Sequence, residues 1–244
     1  ALALESDIIT ILRDTFNANV PRLIKQNTNL DCFLMKDSGQ PLRNLLKKRF
    51  DADLYCNAIK QFTSLQMSTA EHCAMLLDNG VPDWRLNQLP GMYMNLLNHE
   101  EELMADGLAK EHITELKKFL PTLESLCHRL ELCGIKAGIV QPDFHDNNIL
   151  IDEKTQAITF IDLGEIVVSH PFFSLTNCLN QAVRHHGLVY ADDTYQKLVD
   201  ACLDDFRTVA PERQLFEALT LAQRIEPVYQ ALSYYRLMQA CDKK

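Results

Sequence analysis

Along most of the chain, apolar residues recur at the spacing of an amphipathic helix, and short strand-like segments occur in two places. The first helical pattern covers Ala1 to Phe16 and ends at Asn17-Ala18-Asn19. Arg22 to Gln26 and Cys32 to Lys36 then predict two short strands, joined by the turn-rich tripeptide Asn27-Thr28-Asn29. The opening of the chain is therefore predicted to be a small α/β unit.

Beyond this unit the pattern becomes mainly helical. Leu42 to Arg49 predicts a short helix, and Asp51 to Leu65 predicts a longer one with Asp51 as its N-cap. The segment Asn79-Gly80-Val81-Pro82-Asp83 interrupts the helices. Helices return from Leu175 after three short β-like runs. These runs are Gly138 to Val140, Asn148 to Ile151 and Ala157 to Ile161.

The longest apolar stripe, Glu111 to Cys133, predicts a helix that faces the core. Pro121 lies within it, so the helix is expected to restart or kink there, and Gly134 is expected to end it. Together the patterns predict an α+β fold. It begins with the small α/β unit, passes through a hinge at residues 38–41, and continues as a helical body with an inset β-hairpin.

Composition and charge narrow the classes of partner. The 244 residues are 47% hydrophobic and 23% charged, which is typical of a globular protein rather than a disordered one. The net charge of -9 disfavours nucleic acid and anionic membranes as partners and is compatible with a cationic substrate. No apolar run approaches the ~18 residues of a membrane span, and no signal peptide is visible.

The cysteines indicate a reducing compartment. The chain has eight of them, none in a CxxC pair, and most lie within apolar helical patterns. Scattered cysteines of this kind usually behave as small buried apolar residues. We therefore expect reduced thiols and a cytoplasmic protein.

The polar residues with candidate chemistry gather around the predicted hairpin. Asp143 and Asn148 have the D-x-x-x-x-N spacing of a kinase catalytic loop, in which a carboxylate faces the substrate hydroxyl and an amide oxygen faces a metal. His145 lies in the same loop and is, with Asp143, a catalytic candidate. Asp162 follows the next strand beside a glycine, as suits a magnesium ligand, and Glu165 is a further candidate ligand.

Each of these residues also has a simpler interpretation. Asp143 and Asn148 occur in ordinary turns, and Asp162 is suited to capping Leu163-Gly164. A histidine such as His145 is more often a structural hydrogen-bonding residue than a metal ligand, because neutral imidazole suits zinc better than magnesium. Asp143 and His145 also form a D-x-H, which leaves open a metal-dependent phosphohydrolase. The conjunction of the motifs favours the kinase interpretation.

Two segments resemble the signature motifs of the aminoglycoside phosphotransferase and choline kinase family. They are Asp143-Phe144-His145-Asp146-Asn147-Asn148-Ile149-Leu150 and Phe160-Ile161-Asp162-Leu163-Gly164-Glu165. Further similar segments are Val20 to Leu23, Leu34 to Gly39, Val81 to Leu86 and His170 to Leu175, so the likeness covers nearly the whole chain. The last two segments resemble those of a bacterial branch known only as a phosphotransferase enzyme family.

The resemblance implies a protein-kinase-like fold and an ATP-dependent, Mg²⁺-dependent enzyme that phosphorylates a hydroxyl of an aminoglycoside, a sugar or an amino alcohol. It implies that Asp143 is the catalytic base. Asn148 and Asp162 would be the metal ligands, and Glu165 occupies a position that the family usually fills with Asp. Glu5 would match the acid that pairs with the nucleotide-binding lysine.

The resemblance also implies a division into lobes. Residues 1–37 would be the remnant of a nucleotide-binding amino lobe, 38–41 the hinge and 42–244 the helical carboxy lobe. Lys36, Asp37 and Gly39 would lie at the nucleotide. The family's glycine-rich loop and lysine precede its first helix, so the chain is expected to be a fragment or to have a reduced amino lobe.

One departure from the family pattern concerns the approach to the catalytic loop. The family usually has His-Gly before the catalytic Asp, whereas this chain has Gln141-Pro142. Proline removes a backbone N–H and restricts φ, so the entry to the loop must either differ from that of the family or be held by other contacts. This departure motivates an alternative interpretation, a catalytically impaired pseudokinase that binds a ligand or a protein.

Overall fold

The segments with helical periodicity form helices in the computed structural model, which describes residues 2–27, 29–30 and 32–241. The helices are α1 (Leu2–Phe16), α2 (Leu42–Lys48), α3 (Ala52–Thr69), α4 (Cys73–Asp78), α5 (Leu89–Asn98), α6 (Glu100–Ala105), α7 (Lys110–Lys118), α8 (Leu120–Glu131), α9 (Phe172–His186), α10 (Asp193–Leu203) and α11 (Glu212–Cys241). Short 3₁₀ turns cover Ala70–His72, Asp146–Asn148, Leu163–Glu165 and Asp205–Thr208. The predicted α+β class is confirmed.

The strands form small antiparallel sheets. They are β1 (Leu23–Asn27), β2 (Cys32–Met35), β3 (Gln40–Pro41), β4 (Gly138–Val140), β5 (Ile149–Ile151), β6 (Ile158–Phe160) and β7 (Val167–Ser169). In the described residues β1 pairs with β2, β3 with β5, β5 with β6, and β4 with β7. The predicted hairpin is β5–β6, and its Asp152 side chain accepts hydrogen bonds from the backbone of the turn.

The local signals for helix ends act as the sequence predicts. Asp51 caps α3 by accepting a hydrogen bond from the Leu54 backbone N–H at 3.0 Å. The long apolar stripe is divided into the two helices α7 and α8. Pro121 lies in the first turn of α8, where a backbone N–H has no partner within the helix, so proline costs no hydrogen bond there. The predicted restart at Pro121 is therefore confirmed.

Two strands were not predicted. The run Val167 to Ser169 is short, and it forms β7 by pairing with β4 on one side, while Val168 bridges to Asp83 on the other. Gln40 and Pro41, in the predicted hinge, form β3 and pair with β5. Half of the hinge segment thus belongs to the sheet that supports the candidate loop. The division into lobes at residues 37 and 42 stays a prediction.

The core surrounds the candidate loop. Phe144, within that loop, is fully buried and stacks on Phe62 of α3 with ring centroids 3.8 Å apart. Phe160 of β6 meets Phe62 edge-on at 5.3 Å. Burying one such side chain contributes about 2 kcal/mol, so Phe144 anchors the loop to the helical body.

The remaining sequence-level expectations concern cysteines and membranes. The seven cysteines whose side chains are described are all free, and most are buried. None of the helices in the described part of the chain combines the length and apolar character needed to cross a bilayer.

Candidate active site

The loop between β4 and β5 brings Asp143 and Asn148 together. The Asn148 amide Nδ2 donates to the Asp143 backbone oxygen at 2.9 Å and lies 3.3 Å from its Oδ2. Asn148 is buried, whereas the Asp143 side chain is 52% exposed and is open to a substrate. Because Nδ2 is turned toward Asp143, the amide oxygen of Asn148 is left as an acceptor for a cation.

His145 orients the carboxylate of Asp143. Its Nδ1 accepts a hydrogen bond from the Asn147 backbone N–H at 3.1 Å, so the ring proton of the neutral form is on Nε2. Nε2 lies 3.2 Å from Asp143 Oδ1 and donates to it. This geometry matches the structural interpretation of His145, in which it positions the catalytic candidate.

The contacts of Asp143 keep it ionised. Burial tends to raise its pKa, but the hydrogen bond and charge of His145 outweigh burial and lower the pKa below its ordinary value. Hydrogen bonds from the side-chain amides of Asn148 and Asn177 add to this lowering. Asp143 is therefore a carboxylate at neutral pH, as a hydrogen-bond acceptor for an alcohol requires.

Asp162 lies beside this loop in an uncommon backbone conformation. Its φ is 61° and its Oδ2 lies 3.5 Å from Asn148 Nδ2. Burial raises the pKa of Asp162, and the negative charge of Asp143 raises it further. Such repulsion between neighbouring carboxylates is typical of a site that accommodates a cation.

Two more acids complete the cluster. Burial raises the pKa of Glu165, and Asp162 adds to the rise. The same two causes raise the pKa of Glu5 in α1, although a hydrogen bond from the Leu163 backbone opposes them. An ideal Cβ on Gly164 would lie 3.3 Å from Glu5 Oε2, so this carboxylate packs directly over the turn that carries Asp162.

The donor set fits magnesium bound together with a nucleotide. In the described residues, no group of three or more His, Cys, Asp or Glu side chains is arranged to hold a metal by itself. Mg²⁺ is usually held by one or two carboxylates together with phosphate oxygens and water. The Asn148 amide lies beside the Asp162 carboxylate, with Nδ2 3.5 Å from Oδ2, so these two side chains would be the ones to offer oxygen ligands of this kind.

We expect Asp162→Asn to raise the melting temperature of the nucleotide-free protein by roughly 2 °C, because it removes a repelled charge that solvent partly screens. Asparagine also tolerates a positive φ. A carboxyl with a raised folded-state pKa destabilises the fold when ionised, so the gain is present at neutral pH and vanishes as pH falls through that pKa.

Thermal denaturation with and without Mg-ADP measures two effects of Asp162→Asn: the change in melting temperature and the change in stabilisation by the ligand. The variant is expected to lose the stabilisation that Mg-ADP gives, and the exposed Asp106→Asn serves as the matched control. A lower melting temperature without ligand, or full stabilisation by Mg-ADP, would contradict this account of Asp162.

The approach to the loop is held by Gln141, which is fully buried. Its side-chain Nε2 donates to the backbone oxygens of Ile161 and Asp162, each at 2.9 Å. Its backbone N–H and C=O both bond to the Ser174 hydroxyl, at 2.9 and 3.0 Å. The two candidate loops are thus joined through one amide, and the expectation that other contacts hold the Gln141-Pro142 segment is confirmed.

Most of the chain matches the model of one protein family. The model described as the phosphotransferase enzyme family matches residues 2–211. This chain belongs to that family. The membership agrees with the family resemblance of the motifs and disfavours the phosphohydrolase alternative.

Solved structures of phosphotransferases have the same fold. An ethanolamine kinase from Plasmodium vivax aligns with a TM-score of 0.67 at 15% identity, over 94% of this chain and 65% of its own. A choline/ethanolamine kinase family protein from Mesorhizobium loti aligns with a TM-score of 0.61 at 11% identity, over 100% of this chain and 73% of its own. An aminoglycoside phosphotransferase from Streptomyces rimosus, in complex with ADP and streptomycin, gives 0.58 at 16% identity, over 93% and 83%.

These likenesses confirm the protein-kinase-like fold. The chain of this phosphotransferase family member spans 65% of the length of the ethanolamine kinase that it matches. No curated protein matches the sequence.

Of the predicted nucleotide residues, Glu5 lies beside the turn that carries Asp162, whereas the other three belong to a separate segment. Lys36, Asp37 and Gly39 are in the segment between β2 and β3, and within the described residues no hydrogen bond or ion pair joins them to Asp143 or Asp162. Gly39 has a φ of 106°, and a Cβ there would lie 2.1 Å from the Ile151 oxygen. Glycine is therefore required at this position by the close approach of β5.

Sequence reasoning missed a buried cluster beneath the loop. Asp146 is 1% exposed, and its Oδ1 accepts a hydrogen bond from Arg43 Nε at 2.8 Å. Arg43 Nη2 lies 2.7 Å from the same oxygen and contributes charge without a hydrogen bond. His186 Nε2 lies 2.7 Å from Oδ2. No pattern in the sequence marks Asp146 as the partner of Arg43 and His186.

Proposed function

We propose that this protein transfers the terminal phosphoryl group of ATP to a hydroxyl of a small molecule. The observation that supports this most directly is the arrangement of Asp143. Its carboxylate is held by His145 and Asn148, and it faces solvent next to Asp162. Positioning and charge neutralisation account for most of the catalysis in phosphoryl transfer, and this arrangement suits both.

The residues would divide the work as follows. Asp143 accepts a hydrogen bond from the acceptor hydroxyl and takes its proton during transfer. Asn148 and Asp162 would hold Mg²⁺, and Glu165 would support a second or outer contact. Bound Mg²⁺ neutralises charge on the phosphate oxygens. His145 positions the carboxylate of Asp143, and Gln141 holds the backbone at Asp162, through the contacts described above.

A half-buried carboxylate near Asp143 supports an acceptor with a cationic group. Glu226 of α11 receives hydrogen bonds from the Asn180 and Gln230 side chains, and burial raises its pKa. Gln230 Nε2 in turn lies 3.5 Å from the Pro142 oxygen, one residue before Asp143. No ion pair forms at Glu226 in the described part of the chain. An amino alcohol or amino sugar would supply the missing charge.

The direct test is ATP turnover, in the presence of Mg²⁺, against a panel of amino alcohols, aminoglycosides, and sugars in amino and neutral forms. We expect an amine-bearing acceptor to be phosphorylated. Binding of Mg-ATP without turnover of any acceptor would instead favour the pseudokinase. That alternative is suggested by Gln141-Pro142, which stands where the family usually has His-Gly. No binding of Mg-ATP would contradict both functions.

Replacing Glu226 by glutamine tests the acceptor class. A charged hydrogen bond contributes about 1.5–3 kcal/mol, so we expect KM for the amine-bearing acceptor to rise by roughly 10-fold or more. KM for ATP and for a neutral acceptor should stay unchanged. Glu101→Gln, at an exposed position, is the matched control. An equal loss with neutral acceptors would show that Glu226 supports the structure rather than the cation.

The acidic charge of -9 supports a small-molecule partner rather than nucleic acid or a membrane surface. The free cysteines support a reducing compartment, so we place the protein in the cytoplasm.

A further inference from the structure

An arginine from the last helix reaches the turn that carries the candidate metal ligands. Arg236 of α11 donates from Nη1 to the Glu165 backbone oxygen at 3.0 Å. The side chain is half-buried, and Arg236 follows Glu165 by 71 residues in the sequence. No motif in the sequence marks this residue.

In the described part of the chain, the guanidinium of Arg236 forms no direct ion pair with a carboxylate. Other arginines pair directly with acids, as Arg85 does with Asp83 at 2.6 Å and Arg129 with Glu217 at 3.1 Å. Within the described residues no such ion pair forms at Arg236. Burial lowers its pKa, while the more distant charge of Glu165 opposes the change. A guanidinium remains charged under both influences.

Holding the Glu165 oxygen uses one N–H of a group that carries five. A half-buried guanidinium whose nearest carboxylate is not in direct contact with it is stabilised further when an anion binds its free N–H groups. The planar fork of a guanidinium matches the oxygens of a phosphoryl group, to which it can donate two parallel hydrogen bonds. The neighbouring acids are engaged by the expected cation, so the transferring phosphoryl oxygens are the anions that remain to be neutralised.

We propose that Arg236 binds an oxyanion in the reacting complex, and that this oxyanion belongs to the phosphoryl group in transit. The inference rests on the proposed function. During transfer the bond between the terminal phosphorus and the bridging oxygen of ADP breaks, and a bond from the acceptor oxygen to phosphorus forms. The hydroxyl proton goes to Asp143. Arg236 gains and loses no proton and stabilises the charge spread over the phosphoryl oxygens.

Calorimetric titration distinguishes this role from a structural one. The titrants are Mg-ADP alone and Mg-ADP with fluoroaluminate, which mimics the planar phosphoryl group. In Arg236→Met, we expect the fluoroaluminate complex to bind about 10-fold to 100-fold more weakly, as loss of a charged hydrogen bond requires. Affinity for Mg-ADP alone should stay within about 2-fold, and kcat should fall with the fluoroaluminate affinity.

Three further variants separate the geometry of the guanidinium from its charge. Arg236→Lys keeps a donor for the Glu165 oxygen, so it should retain the melting temperature and Mg-ADP affinity while recovering only part of kcat. Arg224→Met, an exposed arginine on the same helix, should change nothing. Added guanidinium is expected to restore part of the kcat of Arg236→Ala, which a purely structural loss would not allow.

An anionic group on the acceptor is the other source of an oxyanion. In that case Arg236→Met would raise KM for the acceptor and leave fluoroaluminate affinity unchanged, which overturns the assignment to the phosphoryl group. Equal weakening of Mg-ADP with and without fluoroaluminate also overturns it. If the unmodified protein binds no Mg-ADP, the proposed function itself fails. If it turns over ATP and Arg236→Met does so equally well, the inference about Arg236 alone fails.

Discussion

Asp143→Asn is expected to lower kcat by about 10²-fold to 10⁴-fold, the usual contribution of a positioned general base. The amide keeps the shape of the side chain and cannot take the hydroxyl proton. The affinity for Mg-ADP should change little, because in the proposed function Asn148 and Asp162 are the residues that would contact the metal. Initial rates at saturating ATP and acceptor, with Mg-ADP affinity from calorimetry, measure the two quantities separately.

The pH dependence of this reaction follows from the lowered pKa of Asp143. The base works when ionised, so activity that depends on Asp143 is retained at neutral pH and falls only as pH drops through the lowered pKa, below 3.8. Exposed Asp106→Asn is the matched control for charge. If Asp143→Asn keeps the turnover of the unmodified protein, Asp143 is not the base.

The second large effect concerns stability. Asp146→Ala is expected to lower the free energy of unfolding by about 3–5 kcal/mol, because it leaves the buried Arg43 charge without its partner. The exposed fractions of the Arg43 and Asp146 side chains are 14% and 1%, so water does not replace the lost contact. Urea denaturation monitored by circular dichroism gives the free energy. Glu115→Ala, in an ion pair whose partners are 66% and 68% exposed, should change it by no more than about 0.5 kcal/mol.

Two measurements test the cause of the Asp146 effect. Adding Arg43→Met to Asp146→Ala should recover part of the loss, since no buried charge is then stranded. Burial tends to raise the pKa of Asp146, but hydrogen bonds from His186 and Arg43 lower it overall. Its stabilising effect is thus present above the ordinary pKa of 3.8 and is lost as pH falls through the folded-state value. A deficit that persists unchanged into strong acid would contradict an electrostatic origin.

The Asp146 cluster ties the candidate loop to two helices. Arg43 belongs to α2, which follows directly on β3, and His186 is the last residue of α9. The same helix α9 supplies Ser174 to Gln141, and its Asn177 donates to the Phe144 oxygen at 3.2 Å. One helix therefore contacts the loop at its approach, its middle and its end, and the position of Asp143 depends on all of these contacts.

Local patterns in the sequence determined the helices, the β5–β6 hairpin and the pairing of Asp143 with Asn148. These patterns act over a few residues, so they can be recognised in the sequence without knowledge of the fold. They include helix periodicity, an N-cap such as Asp51 and a helix restart such as Pro121. The five-residue separation of Asp143 and Asn148 is equally local, and a short loop can bring them into contact in few ways.

Only the tertiary structure decided which distant residues complete the site. Arg43 and Asp146 are 103 residues apart, and Arg236 and Glu165 are 71 apart. Such pairs depend on which helices pack together, and a charged residue on a helix gives the same pattern whether it faces solvent or a buried acid. Gln141 is a similar case, since its replacement of the family histidine was understood only once its amide was seen to bridge Ile161 and Asp162. Short-range geometry is encoded in spacing, whereas the partners of a buried charge are set by packing.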